Sequence, residues 1–176
     1  MEVIKVFWFF LPAGIANMAP VLAKFLRLPA TPIDLGKKLN GQPIFGPHKT
    51  YRGLALGGLA AVGTVYLQKR LYPHTASISL IDYSTVNVWQ LGLLQGFGAL
   101  LGDLIKSFVK RRLGKTSGQS WVPFDQLDWI AGAAIFSSAL ISLSLAQVII
   151  ALLLFGALHP LVNLAGYGLR IKPNRF

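Results

Sequence analysis

The 176-residue chain has no cysteine, only six acidic residues, and no polar stretch long enough to bury a core of its own. Without cysteine, disulfides, thiolate metal sites and cysteine nucleophiles are all excluded. Charged residues make up 13% of the chain, against about a quarter in an ordinary soluble domain. What fills the gap is apolar: 53% of the residues are hydrophobic, and the mean hydropathy is +0.55. Long uninterrupted apolar runs make this an integral membrane protein built as a single membrane-embedded domain over 1–176, with no separate soluble domain. The net charge of +11 would also suit a nucleic-acid binder. Bases scattered among apolar spans are better explained by membrane topology, so no nucleic-acid partner is expected.

Crossing the roughly 30 Å hydrocarbon layer takes about 20 helical residues. That length predicts an all-α bundle of five transmembrane helices at about 3–26, 53–70, 86–108, 125–142 and 146–168, with loops at about 28–52 and 109–124 on one face. The second span is short, with 16 uncharged residues from Gly53 to Gln68. The stretch Trp129–Leu169 lacks Asp, Glu, Lys and Arg for 41 residues and must fold back, near Ser142–Ser144. Five spans put 14 of the 17 bases on the face with the two loops and the C-terminal tail, leaving Lys5, Lys69 and Arg70 on the other. The positive-inside rule then predicts an outside N-terminus and a cytoplasmic C-terminus. Pairs of glycines four apart, Gly53/Gly57, Gly92/Gly96 and Gly98/Gly102, suit close helix packing in lipid. The intramembrane polar residues Asn17, Gln90, Gln95, His159 and Asn163 read as interhelical hydrogen-bonding groups.

The few carboxylates are the informative ones. Asp34, Asp103, Asp125 and Asp128 all fall on the basic face, although acids contribute little to orientation. Carboxylates in a basic surround suit Mg2+ bound to phosphates, with Lys and Arg neutralising the remaining phosphate charge. Asp103, Lys106, Ser107 and Lys110 are offset by three, four and seven residues, which puts them on one helix face. Asp125 and Asp128 share a face at the start of the fourth helix, where Asp125 also serves as a helix-start signal. Asp128 borders the apolar interior, where an acid is costly and by default functional. The loop Pro32–Gly53 is rich in glycine and proline and carries Lys37, Lys38, Lys49, Thr50 and Arg52. Its exposed backbone N–H groups suit a polyphosphate cradle, although the GxxxxGK[ST] pattern does not occur. His48 in this loop reads as a polar contact.

Two blocks carry a resemblance. The loop Asp34, Gly36, Gly41, Phe45-Gly46, Lys49-Thr50, Arg52-Gly53 resembles the first cytoplasmic loop of archaeal CDP-archaeol synthases. So does the run from Gly102 through Lys106-Ser107, Lys110-Arg111-Arg112 and Pro123 to Asp125-Gln126 and Asp128, which also resembles the signature of the wider CDP-diacylglycerol synthase family. Order, spacing and five-span layout agree over nearly the whole chain. One departure is Pro47-His48 ahead of Lys49-Thr50, where the family pattern reads FGxGKT or FGDGKT.

The resemblance implies a multi-pass enzyme of the cell membrane, with its site facing the cytoplasm. The reaction it implies is CTP-dependent cytidylyl transfer to 2,3-bis-O-geranylgeranyl-sn-glycerol 1-phosphate, giving CDP-archaeol and pyrophosphate with Mg2+ required. Its partners would be CTP, that isoprenoid lipid and the surrounding membrane lipids; nothing specifies an oligomeric state. In this reading Asp103, Lys106, Asp125 and Asp128 are catalytic, and Asp103, Asp125 and Asp128 hold the metal. Asp34, Lys49, Thr50, Arg52, Ser107, Lys110, Arg111 and Arg112 bind substrate. A CDP-alcohol phosphatidyltransferase is the rival enzyme, but its DGxxAR...G...D...D run is absent. A transporter would need ionisable groups near the midplane. A lipid-binding scaffold gives no reason for four clustered aspartates.

Overall fold

The computed structural model describes residues 1–169, apart from the side chains of Lys24, His159, Val162 and Asn163. The polar roles expected for His159 and Asn163, and the bases of the tail from Arg170, therefore lie outside the described residues. Five α-helices follow one another: α1 Glu2–Leu22, α2 Tyr51–Thr75, α3 Val88–Arg112, α4 Phe124–Ser137 and α5 Leu145–Gly168. Among the described residues the one sheet is a two-stranded hairpin, β1 Lys38–Leu39 against β2 Gln42–Pro43, inside the α1–α2 loop. Asn40 and Gly41 turn it with φ of 51° and 76°, the positive values that a tight hairpin turn requires.

Helix bounds differ from the apolar runs for physical reasons. Helix α2 continues five residues past Arg70 to Thr75, because charge ends an apolar run but not a helix. Lys69 donates to the Val86 carbonyl, and Arg70 lies over the Tyr66 ring. Helix α4 stops at Ser137, earlier than the expected residue 142. There the Ser138 hydroxyl donates back to the Ile135 carbonyl, a local bond that competes with helix continuation. At about 21 Å for 14 residues, α4 is shorter than the hydrocarbon layer. The fold-back ends at Ser144, whose side chain accepts from Gln147 N–H in a capping box that opens α5.

Helix α3 lies at the centre, against α1, α2 and α4. Its two glycine pairs face different neighbours. A Cβ at Gly92 would stand 2.6 Å from the Val62 backbone of α2, and one at Gly102 would stand 2.2 Å from the Asp128 carbonyl of α4. Helix α1 carries Pro12 and Pro20, each of which removes the N–H that would bond four residues back. The carbonyl freed by Pro12 is that of Trp8, and it accepts from Gln68 of α2; Gln95 of α3 bonds the next carbonyl, Phe9, at 2.9 Å. Both glutamines are fully buried. Neighbouring helices thus satisfy a broken helix inside an apolar interior, as membrane-embedded backbone requires.

Candidate active site

The charged residues of α3 and α4 meet because those helices touch backbone to backbone. Gly98 and Gly102 of α3 face Gly132 and Asp128 of α4, where a Cβ at Gly98 would stand 2.7 Å from the Gly132 carbonyl. This contact brings Asp128, on the first turns of α4, beside Asp103, which follows Gly102 directly.

The result is a cluster centred on one ammonium group. Lys106 Nζ lies 3.0 Å from Asp103 Oδ1, 3.0 Å from Asp125 Oδ1 and 3.1 Å from Asp128 Oδ2. Lys110 Nζ contacts both oxygens of Asp125, at 3.1 and 3.2 Å, and also donates to the Gln119 carbonyl. From the first loop, Lys49 pairs with Asp103 Oδ2. Asp125 Oδ2 also accepts from the Trp121 N–H at 2.5 Å. Every ion pair among the described residues belongs to this cluster. Asp128 is its least satisfied member. Its side chain is 7% exposed, Oδ2 lies near Lys106 without hydrogen-bond alignment, and Oδ1 has no partner among the described residues. Ser107 and Arg111 are buried nearby in sequence, and Arg111 Nε is likewise unpartnered.

The remaining expected substrate ligands make contacts within the protein. Asp34 accepts from the N–H groups of Gly36, Phe45 and Gly46 at 3.1, 2.9 and 3.0 Å. Burial opposes its ionisation, but these three donors outweigh it and hold the carboxyl below its ordinary value. The loop was expected to offer its backbone N–H groups to phosphate; at these three positions its own aspartate takes them. Thr50 caps α2 by accepting from Gly53 N–H, and Arg52 donates to the Leu28 carbonyl. The Arg112 guanidinium is committed to the hairpin, donating to the carbonyls of Leu39, Gln42 and Pro43 at 2.9, 3.3 and 2.6 Å. It also lies 5.2 Å from the centre of the Phe108 ring, which Phe45 contacts. Asp34, Thr50, Arg52 and Arg112 therefore shape the loop that carries Lys49 into the cluster. His48 is exposed. The contributions of Gln119 and Trp121 were not foreseen, since they act through backbone atoms and no side-chain pattern announces them.

Compared with known proteins, the whole chain, residues 1–176, matches the family described as CarS-like: CDP-archaeol synthase. The chain belongs to the CDP-archaeol synthase family. It is 36% identical to the CDP-archaeol synthase of Pyrococcus furiosus, over 97% of this chain and 96% of that one. With the CDP-archaeol synthase of Hyperthermus butylicus it shares 37% identity over 93% of this chain and 90% of the other. Its fold matches a solved structure described as an intramembrane enzyme for archaeal membrane lipid biosynthesis. That match has a TM-score of 0.78 and 31% identity, covering 92% of this chain and 94% of the other. The five-helix all-α architecture is thus that of an intramembrane enzyme.

Mg2+ is the ion this family resemblance implies, and the donor set can be tested against it. Among the described residues no three acidic or imidazole side chains stand together as a ready-made metal cage. The three aspartates converge instead on the Lys106 ammonium, which serves as a stand-in cation. All offer hard oxygen atoms, and one buried carboxylate oxygen, Asp128 Oδ1, is unpartnered. Oxygen ligands of this kind, few in number and completed by phosphate, fit Mg2+.

Proposed function

We propose that the Asp103–Lys106–Asp125–Asp128 cluster performs CTP-dependent cytidylyl transfer to 2,3-bis-O-geranylgeranyl-sn-glycerol 1-phosphate. The products are CDP-archaeol and pyrophosphate. The convergence of three aspartates from two helices on one lysine carries this reading, in a chain whose relatives are CDP-archaeol synthases.

A phosphate monoester is largely ionised near neutral pH, so its oxygen attacks the α-phosphorus of CTP without a strong general base. The bond to the bridging oxygen breaks and pyrophosphate departs with the electron pair. Such transfers are accelerated by positioning and by charge stabilisation. Lys49, Lys106, Lys110 and Arg111 supply positive charge to the phosphates, and Ser107 offers a hydroxyl. Asp103, Asp125 and Asp128 would hold Mg2+, which would supply neutralising charge to the triphosphate. The loop organised by Asp34, Thr50, Arg52 and Arg112 presents Lys49 to the nucleotide.

The cluster lies toward the end of α3 that carries Lys110, Arg111 and Arg112. The asymmetry of Lys and Arg along the sequence supports a cytoplasmic location for that end. There CTP arrives from water while the lipid's isoprenoid chains stay in the bilayer. Substituting Asp128→Asn should abolish transfer of label from CTP into an organic-phase lipid in detergent, with the yield of folded protein unchanged. Near-normal turnover by that variant would remove Asp128 from the mechanism.

A further inference from the structure

The cluster contains three carboxylates, Asp103, Asp125 and Asp128, and three ammonium groups, Lys49, Lys106 and Lys110, in five ion pairs. Those six groups balance one another in charge before any ligand arrives, and buried Arg111 adds a further positive charge beside Asp125. Lys106 is shared by all three carboxylates at 3.0–3.1 Å, which is where a cation serving all three would also be drawn. We propose that Lys106 is a built-in counter-ion of the metal-binding aspartates, so that the protein takes its divalent cation as the cation–CTP complex and not as the free ion. This rests on the cytidylyl-transfer reading of the site.

The physical reason is electrostatic. Lys106 is 13% exposed and Asp128 7%, and in such surroundings charges act on one another far more strongly than in water. A free divalent ion entering a balanced cluster would leave two positive charges uncompensated. It would also have to compete with an ammonium already in contact with every carboxylate. The nucleotide complex brings phosphate charge with it. Lys49, from the first loop, and Lys110 can then transfer their contacts from carboxylate to phosphate, exposing carboxylate oxygens as they leave. Asp128 Oδ1, buried and unpartnered, is the oxygen already free for that exchange. Lys106 is on this account a positioning residue as well as a phosphate contact: it keeps three aspartates together that would otherwise repel one another.

The experiment uses Mn2+ as the probe on the full chain in detergent, without nucleotide, followed through the paramagnetic resonance signal of hydrated Mn2+. Wild-type protein should leave that signal unchanged at Mn2+ concentrations equal to its own. Lys106→Met should bind Mn2+ at least about tenfold more tightly than wild type, because one compensating charge is gone. Lys106→Arg, which keeps the charge, should restore wild-type behaviour. Lys49→Met removes a charge at the more exposed rim and should shift affinity the same way, which keeps the test decisive if Lys106→Met does not fold. In parallel, thermal unfolding of the wild type should be raised by Mg2+ with CTP and not by Mg2+ alone. Equal Mn2+ affinity in wild type and both lysine variants overturns the counter-ion role while leaving cytidylyl transfer standing, provided Mg2+ with CTP still stabilises. If Mg2+ with CTP does not stabilise the wild type, the cytidylyl-transfer reading falls and this inference falls with it.

Discussion

Asp34 and Asp128 show how differently two aspartates of one chain can be used. Asp34 is saturated by three backbone donors within its own loop, whereas Asp128 has a buried oxygen with nothing to bind. Removing the first should therefore loosen the loop without touching the cluster directly. Asp34→Ala leaves three N–H groups without their acceptor, a loss of about 1–3 kcal/mol. Hydrogen exchange of residues 36–46 should quicken about tenfold or more, and the apparent affinity for CTP should fall while the α-helices stay protected. The effect has a pH signature. Because the folded Asp34 carboxyl is held below the ordinary value of 3.8, its stabilisation is present above that value and is lost as pH falls below it through the lower folded value. Wild type and Asp34→Ala should thus differ near neutrality and converge under acid. Equal exchange at pH 7 would show that the loop does not depend on this carboxylate.

At the scale of elements, the contact between α3 and α4 decides whether a site exists. The run Gly98–Gly102 is legible as a small-residue stripe from spacing alone, but the partner it meets is not. Gly132 lies in a stretch with no comparable pairing, and only the packed helices show the two backbones touching. Gly102→Ala would push a methyl group toward the Asp128 carbonyl, now 2.2 Å from the ideal Cβ position. The helices must separate or shift, at a cost of about 1–3 kcal/mol for overpacking. Turnover should fall by at least about tenfold, since a small misplacement of reacting groups is expensive. Gly63, with open space around its Cβ position, is the matched control, and Gly63→Ala should be nearly silent in both melting temperature and turnover. Equal activity in the two variants would remove the α3–α4 contact from the account of catalysis.

The whole molecule separates its chemistry from its scaffold along the helix axes. Toward one end lie the hairpin loop, the ion cluster and the basic turn of α3; the opposite end holds the α2–α3 connection, with Tyr83 buried against Tyr72. Between them the described interior is mostly apolar, with Gln68 and Gln95 serving the broken α1. The absence of cysteine makes the orientation straightforward to test. His74→Cys and Ser117→Cys lie on exposed positions at the two ends. A membrane-impermeant maleimide added to intact cells should label His74→Cys and not Ser117→Cys, and permeabilisation should expose both. The reverse pattern would invert the orientation drawn from the basic residues.

Much of this protein was written in its sequence. Apolar length dictated a helical membrane bundle, since lipid offers backbone groups no other partner, and helical spacing aligned Asp103 with Lys106 and Lys110. Local patterns of that kind need no knowledge of neighbours. Tertiary structure decided the rest, because it depends on which surfaces meet. It tied Asp34, Thr50, Arg52 and Arg112 to backbone partners, near in sequence for Thr50 and Gly53 and far for Arg112 and the Leu39 carbonyl. It also set a lysine, and not another carboxylate, at the centre of the three aspartates: α3 and α4 approach through glycine, and Lys106 Nζ stands 3.0–3.1 Å from an oxygen of each.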